Sequence, residues 1–240
     1  MRGAGIKAIL FDIDGTILRC QGAGKRSLES AALDVFGTVG IMDEVHFQGK
    51  TDPLILYEAL LPAGIEADTI RDKMDALKER YLSYLEKNIL EVDVVLLPGV
   101  RELLDELSGS RDMIVGLLTG NFSQGARIKL AAVGLEERFP FGVYGDDTCV
   151  RNEMPGIARR KIRELRGEDV DFADMLIVGD RVYDIECGKA SGALSLAVGT
   201  GWTDEEELLS RNPDFYFRDL SDTEQVLRTI SEALCIGPTR

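Results

Sequence analysis

Asp12 and Asp14 are separated by one residue, and in an extended backbone such alternate side chains share a face. Two carboxylates on one face repel, so the pair needs a cation between them or a proton on one of them. That requirement points to a metal site, or to a nucleophile beside a proton donor. A helix-capping Asp followed by a turn glycine would explain Asp14 and Gly15 alone. Two acids directly after the apolar run Lys7-Ala8-Ile9-Leu10-Phe11 weaken that explanation.

Two other apolar runs also end in polar residues. Met113 to Leu118 leads into Thr119-Gly120-Asn121, and Met175 to Val178 leads into Gly179-Asp180-Arg181-Val182-Tyr183-Asp184. Each has a structural reading: Thr119 could cap the following helix, and Asp184 could be a first-turn acid favoured by the helix dipole.

Short apolar runs of this kind suit buried parallel strands. Between them lie stretches with apolar residues at three- and four-residue spacing: Val100 to Leu107, Ser123 to Val133, Pro155 to Leu165 and Ile185 to Ser191. Strand alternating with helix predicts an α/β fold, a Rossmann-like doubly wound parallel sheet, whose ligands bind beyond the carboxyl ends of the strands. Residues 19–97 break the rhythm with successive helices, Lys25 to Phe36, Pro53 to Leu61 and a long charged stretch from Ala67 to Lys87, with no strong strand among them. They are expected to form an inserted α-helical cap domain, leaving 1–18 and 98–240 as the core.

The 240 residues carry a formal net charge of −14, which opposes binding to nucleic acid and to anionic membrane surfaces. No apolar run approaches the roughly 18 residues of a membrane span, and Met1–Gly5 leads into a strand instead of a signal-peptide core. A cytoplasmic location is expected. Cys20, Cys149, Cys187 and Cys235 lie far apart and read as reduced, mostly structural thiols.

Asp12-Ile13-Asp14-Gly15-Thr16 resembles the first motif of the haloacid dehalogenase superfamily, whose phosphatase branch has the form DxDGT. Thr119 and the Asp180 to Asp184 run follow in that superfamily's order, and the whole looks most like phosphoglycolate phosphatase-like members with a helical cap. The resemblance implies that Asp12 attacks phosphorus to form an aspartyl-phosphate, while Asp14 protonates the leaving alcohol and later activates water. It implies Mg2+ held by the carboxylates of Asp12 and Asp180 and the carbonyl of Asp14, with Asp184 orienting a metal-bound water or the basic residue. Thr119, with the backbone N–H groups of Gly120 and Asn121, would bind the phosphoryl oxygens. Asp14 argues against dehalogenation, because dehalogenating relatives lack the second Asp.

The third motif departs from the pattern, since no lysine followed by Pro-x-Pro succeeds Gly145-Asp146-Asp147. Arg151 is the candidate replacement, and its loss should cost activity without costing thermal stability. Arg159, Arg160 and Lys161 read as a solvated basic face. In the cap, Thr51 or Asp52 would N-cap a helix within Gln48-Gly49-Lys50-Thr51-Asp52-Pro53, and Lys50 either serves that turn or reaches the substrate. His46, the only histidine, reads as a cap residue without a catalytic part. The glycines from Gly22 to Gly24 would hinge cap to core, and closure over the site favours a small phosphorylated metabolite. The competing readings are a phosphomutase of the β-phosphoglucomutase type, which keeps the same motifs, and a non-catalytic phosphometabolite sensor.

Overall fold

The computed structural model describes residues 6–47, 49–108 and 112–235; Met1–Gly5 and Gln48, on which two expectations bear, lie outside the described residues. Strand β1 (Lys7–Phe11) is buried along its whole length, as a strand covered on both faces must be. Its alternate residues enter opposite halves of the core, Ile9 and Phe11 in one apolar cluster and Ala8 and Leu10 in the other. On one side β1 pairs in parallel with β4 (Met113–Leu118), and on the other with β6 (Met175–Gly179). Adding β5 (Gly142–Val143), β7 (Leu194–Val198) and β8 (Phe215–Phe217) gives a six-stranded parallel sheet of order β5-β4-β1-β6-β7-β8.

Helices cover both faces. Helix α5 (Val100–Leu107) packs Leu103 and Leu107 with Val226 and Ile230 of α10 (Thr223–Ala233) in the first cluster. Helix α7 (Met154–Arg166) sends Ile157, Ala158 and Ile162 into the second. The chain builds outward from β1 through β4 to β5, then restarts on the other side at β6. That reversal places the ligand crevice over β1, and Asp12, Thr119 and Asp180 are the first residues beyond β1, β4 and β6.

Between β1 and β4 lie α1 (Ala23–Phe36), α2 (Asp52–Leu60), α3 (Ala67–Asp72) and α4 (Met74–Asn88), with Leu28, Ile55, Leu77 and Tyr81 continuing the first apolar cluster. Two expectations need correction here. The stretch from Ala67 to Lys87 is two helices broken at Lys73 (φ −100°, ψ 4°), a bend that buries Ile70 of α3 as well as Leu77, Tyr81 and Leu85 of α4. The segment also contains a strand: β3 (Val95–Leu96) pairs antiparallel with β2 (Leu18–Arg19), tying the entry of the helical segment to its exit. Two-residue strands are too short for any periodicity to announce. Among the described residues no helix is long and apolar enough to cross a membrane.

Candidate active site

The backbone after β1 turns sharply. Asp12 N–H donates to Val178 O at 2.9 Å, and the N–H groups of Thr16, Ile17 and Leu18 all return to Ile13 O. Gly15 occupies φ 90°, and a Cβ there would stand 2.6 Å from Asp180 Oδ2, so both the turn and the close approach require glycine. Thr16 Oγ1 donates to Asp180 Oδ1 at 3.3 Å, and Thr200 Oγ1 donates to Gly15 O at 2.6 Å.

The carboxylates of Asp12, Asp180 and Asp184 offer oxygens that lie within 4.8 Å of one another, all buried. Burial pushes the Asp180 carboxyl well above its ordinary pKa, Arg181 opposes this, and the neighbouring Asp12 and Asp184 charges add to it. Asp180 Oδ2 is buried without a hydrogen bond; Arg181 Nε stands 2.8 Å away as an ion contact only. Three converging carboxylates with an orphaned oxygen fit a hard divalent cation, which would relieve their repulsion.

Asp184 belongs to α8 (Val182–Ser191), where its Oδ2 accepts from Arg181 N–H at 3.0 Å. It is therefore the first-turn acid that the helix favours. Its Oδ1 accepts from Arg151 Nη2, whose guanidinium also lies 3.5 Å from Asp12 Oδ1. Arg151 is buried in a turn leading into α7, and Nη1 and Nη2 reach the carbonyls of Gly49 and Leu118 at 3.4 and 3.5 Å. The Asp184 and Asp12 charges outweigh the burial of Arg151 and hold it firmly protonated. So deep an ion pair contradicts the expectation that Arg151 serves activity without serving stability. Arg159 and Lys161 instead pair with Asp169 and Asp147 near the surface, and Arg160 is exposed.

Opposite the carboxylate cluster Asp14, Thr119 and Asn121 form a network with Lys129, the one member that sequence reasoning missed. Helix α6 (Ser123–Ala131) carries Lys129, whose ammonium donates to Asp14 Oδ2 and to Asn121 Oδ1, each at 2.6 Å. Asn121 Nδ2 donates to the same Asp14 oxygen at 2.9 Å and to Thr119 Oγ1 at 2.8 Å. Burial alone would raise the Asp14 carboxyl, but Lys129, Asn121 and Cys20 together hold it below its ordinary value. Thr119 does not cap α6. The Phe122 N–H, at the N-terminal boundary of that helix, is met by Asp52 Oδ2 from the helical segment at 2.8 Å, and Ser123 N–H by Asp146.

A cavity of about 440 Å3 opens above these groups, lined on the far side by Lys25, Val45, His46, Phe47, Lys50 and Asp52. Lys50 reaches it with its ammonium already bound to Glu58, and Thr51 is the cap of α2, accepting from Leu54 N–H at 3.3 Å. Gly120 lies directly against the helical segment: its O accepts from Asp52 N–H at 2.7 Å, and a Cβ there would strike Lys50 O. Cys20, expected to be structural, also lines the cavity, its thiol 3.5 Å from Asp14 Oδ1.

With a parallel sheet, acids at its central tips and a covering helical segment in view, the sequence profile of the haloacid dehalogenase-like hydrolases matches residues 6–192. The chain belongs to that family and is a hydrolase. It is 26% identical over 221 residues to a pyrophosphatase PpaX of Oceanobacillus iheyensis, covering 90% of this chain and 94% of that one. A phosphoglycolate phosphatase of Synechococcus elongatus is 30% identical over 132 residues, 55% of this chain and 59% of the other. The crystal structure of a predicted phosphoglycolate phosphatase from Haemophilus somnus shares the fold, with a TM-score of 0.67 at 20% identity over 95% of this chain and all of that one (100%).

Proposed function

We propose that the protein is a magnesium-dependent phosphatase that hydrolyses a small phosphate monoester through an aspartyl-phosphate on Asp12. The observation that carries this reading is the convergence of Asp12, Asp180 and Asp184, with Asp12 and, two residues on, Asp14 lining the cavity. Asp12 and Asp180, with the Asp14 carbonyl, would hold the ion, an all-oxygen set suited to magnesium, which supplies positive charge between a carboxylate nucleophile and a dianionic ester.

An Asp12 oxygen attacks phosphorus as the bond to the ester oxygen breaks, and the departing alkoxide takes a proton from Asp14. Before binding, Lys129 holds Asp14 ionised. A dianionic ester alongside opposes Lys129 and raises the carboxyl's proton affinity, so substrate itself prepares the acid. In the second half Asp14 takes a proton from water, the water oxygen bonds to phosphorus, and the Asp12–phosphorus bond breaks. Arg151 sets the position of Asp12 from one side, while Thr119 and the turn at Gly120 and Asn121 offer donors to the equatorial oxygens. The helical segment, residues 19–97, acts as the cap that excludes bulk water and limits the substrate's size. The location proposed is the cytoplasm.

The test is phosphate release from a panel of small phosphate esters, with magnesium and after exhaustive chelation, by the parent and by Asp12→Asn. Parent activity that chelation silences reversibly and that Asp12→Asn abolishes in a folded protein is the expected result. Turnover near the parent rate in Asp12→Asn, freed of parent protein, would refute the nucleophile. Interconversion of sugar phosphate isomers without net phosphate release would favour the mutase.

A further inference from the structure

Lys129 is a buried cation in a helix whose neighbouring positions, Ala126 and Leu130, do the packing. Its side chain is 5% exposed, whereas that of Asp14 is 31% exposed and faces the cavity. Removing an ammonium from water costs several kcal/mol unless strong partners replace the solvent. The hydrogen-bond partners here are Asp14 Oδ2 and Asn121 Oδ1. Both partners line the cavity.

The division of labour between the two Asp14 oxygens is informative. Oδ2 accepts from Lys129 and from Asn121 Nδ2, while Oδ1 has only the weak 3.5 Å thiol contact of Cys20. Asn121 is itself tied down by Thr119 Oγ1 and by Lys129, so the support is a closed set of bonds and not one swinging side chain. The start of α1 leaves room for it: a Cβ on Gly24 would stand 3.3 Å from Lys129 Nζ. One carboxylate oxygen is fastened by two donors, and the other carries only the thiol contact.

Resting on the phosphatase reading, we infer that Lys129 is the positioning residue for Asp14: it clamps Oδ2 so that Oδ1 faces the ester oxygen that must receive a proton. The clamp acts on the step in which the ester bond breaks and the proton passes from Asp14 to the leaving oxygen. It therefore matters in proportion to how badly the leaving group needs that proton. An alkoxide needs it; a nitrophenolate does not.

The experiment compares kcat/KM of the parent, Lys129→Met, Lys129→Gln, Asp14→Asn and Lys129→Met/Asp14→Asn, at saturating magnesium, on an alkyl phosphate from the panel and on p-nitrophenyl phosphate. A general acid contributes roughly 100-fold or more. Lys129→Met should therefore lose about 100-fold on the alkyl ester and no more than about tenfold on the aryl ester. Asp14→Asn should show the same selectivity, and the double variant should be no worse than Asp14→Asn, because the two residues act as one unit. Lys129→Gln, which can still donate to Oδ2, should fall between parent and Met, and it carries the comparison if the Met variant does not fold. Equal losses on both esters, or additive losses in the double variant, would show Lys129 to be structural only and overturn the assignment. A parent inactive on both esters overturns the phosphatase reading and the assignment together; a parent active on both leaves only the assignment at stake.

Discussion

Replacing Arg151 with Met should destabilise the fold as well as the reaction. Asp184 is almost wholly buried, and after the substitution its carboxylate would keep only the Arg181 N–H of its two bonds. Removing one partner of a buried ion pair costs about 3 to 5 kcal/mol, because the other charge is left without compensation. For a chain of this length that corresponds to roughly 6 to 20 °C in Tm. The cost depends on pH. Burial already raises the Asp184 carboxyl above its ordinary pKa, and Arg151 opposes that rise, so its removal raises the carboxyl further. A folded-state pKa above the unfolded value means that stability is retained in acid and lost as pH rises through the folded value. The gap between parent and variant should thus widen from pH 5 to pH 8. Chemical denaturation in chelator-containing buffer at both pH values measures it. Adding Asp184→Asn to Arg151→Met should recover part of the loss, since no charge then lies buried alone. A gap below about 1 kcal/mol at pH 8, or no recovery in the double variant, would refute the reasoning.

Two further substitutions probe the surroundings of the site. A Cβ on Gly201 would overlap the Asp180 carboxylate, so Gly201→Ala should displace that side chain and weaken the proposed magnesium binding by roughly tenfold or more, read by calorimetric titration; unchanged affinity would remove Asp180 from the proposed metal site. Asp52, whose carboxyl burial pushes up to about 6 against the pull of Lys129 and the Phe122 N–H, favours the folded state most below pH 4 and loses that contribution as pH rises through 6. The Tm of Asp52→Asn relative to the parent should therefore improve between pH 4.5 and pH 7, and a difference that stays flat would contradict the burial argument.

The features readable in the chain are those set by local pattern. An apolar run with a polar residue at its end is a strand tip wherever it falls, and the alternation of such runs with helical spacing left a parallel sheet as the natural arrangement. Asp12, Thr119 and Asp180 were legible for that reason: each directly follows its strand, and the sheet order sets β4 and β6 on either side of β1. The helices between β1 and β4 were equally visible as successive helical stretches, though the bend at Lys73 left no local mark.

What the tertiary structure alone decided concerns partners distant in sequence. Lys129 sits in α6 where any solvated lysine could sit, and only the packing of α1 and α4 over that helix turns it from a surface charge into a buried one facing Asp14. Arg151 was a candidate by position, but its ion pair with Asp184, 33 residues away, exists because α8 packs against the turn before α7. The side chain of Asn121, the Asp52 bond to Phe122 and the β2–β3 ribbon are of the same kind. Periodicity reports which face of an element is apolar, whereas the identity of the group opposite a buried charge depends on how the elements dock, and that is settled only when the core closes.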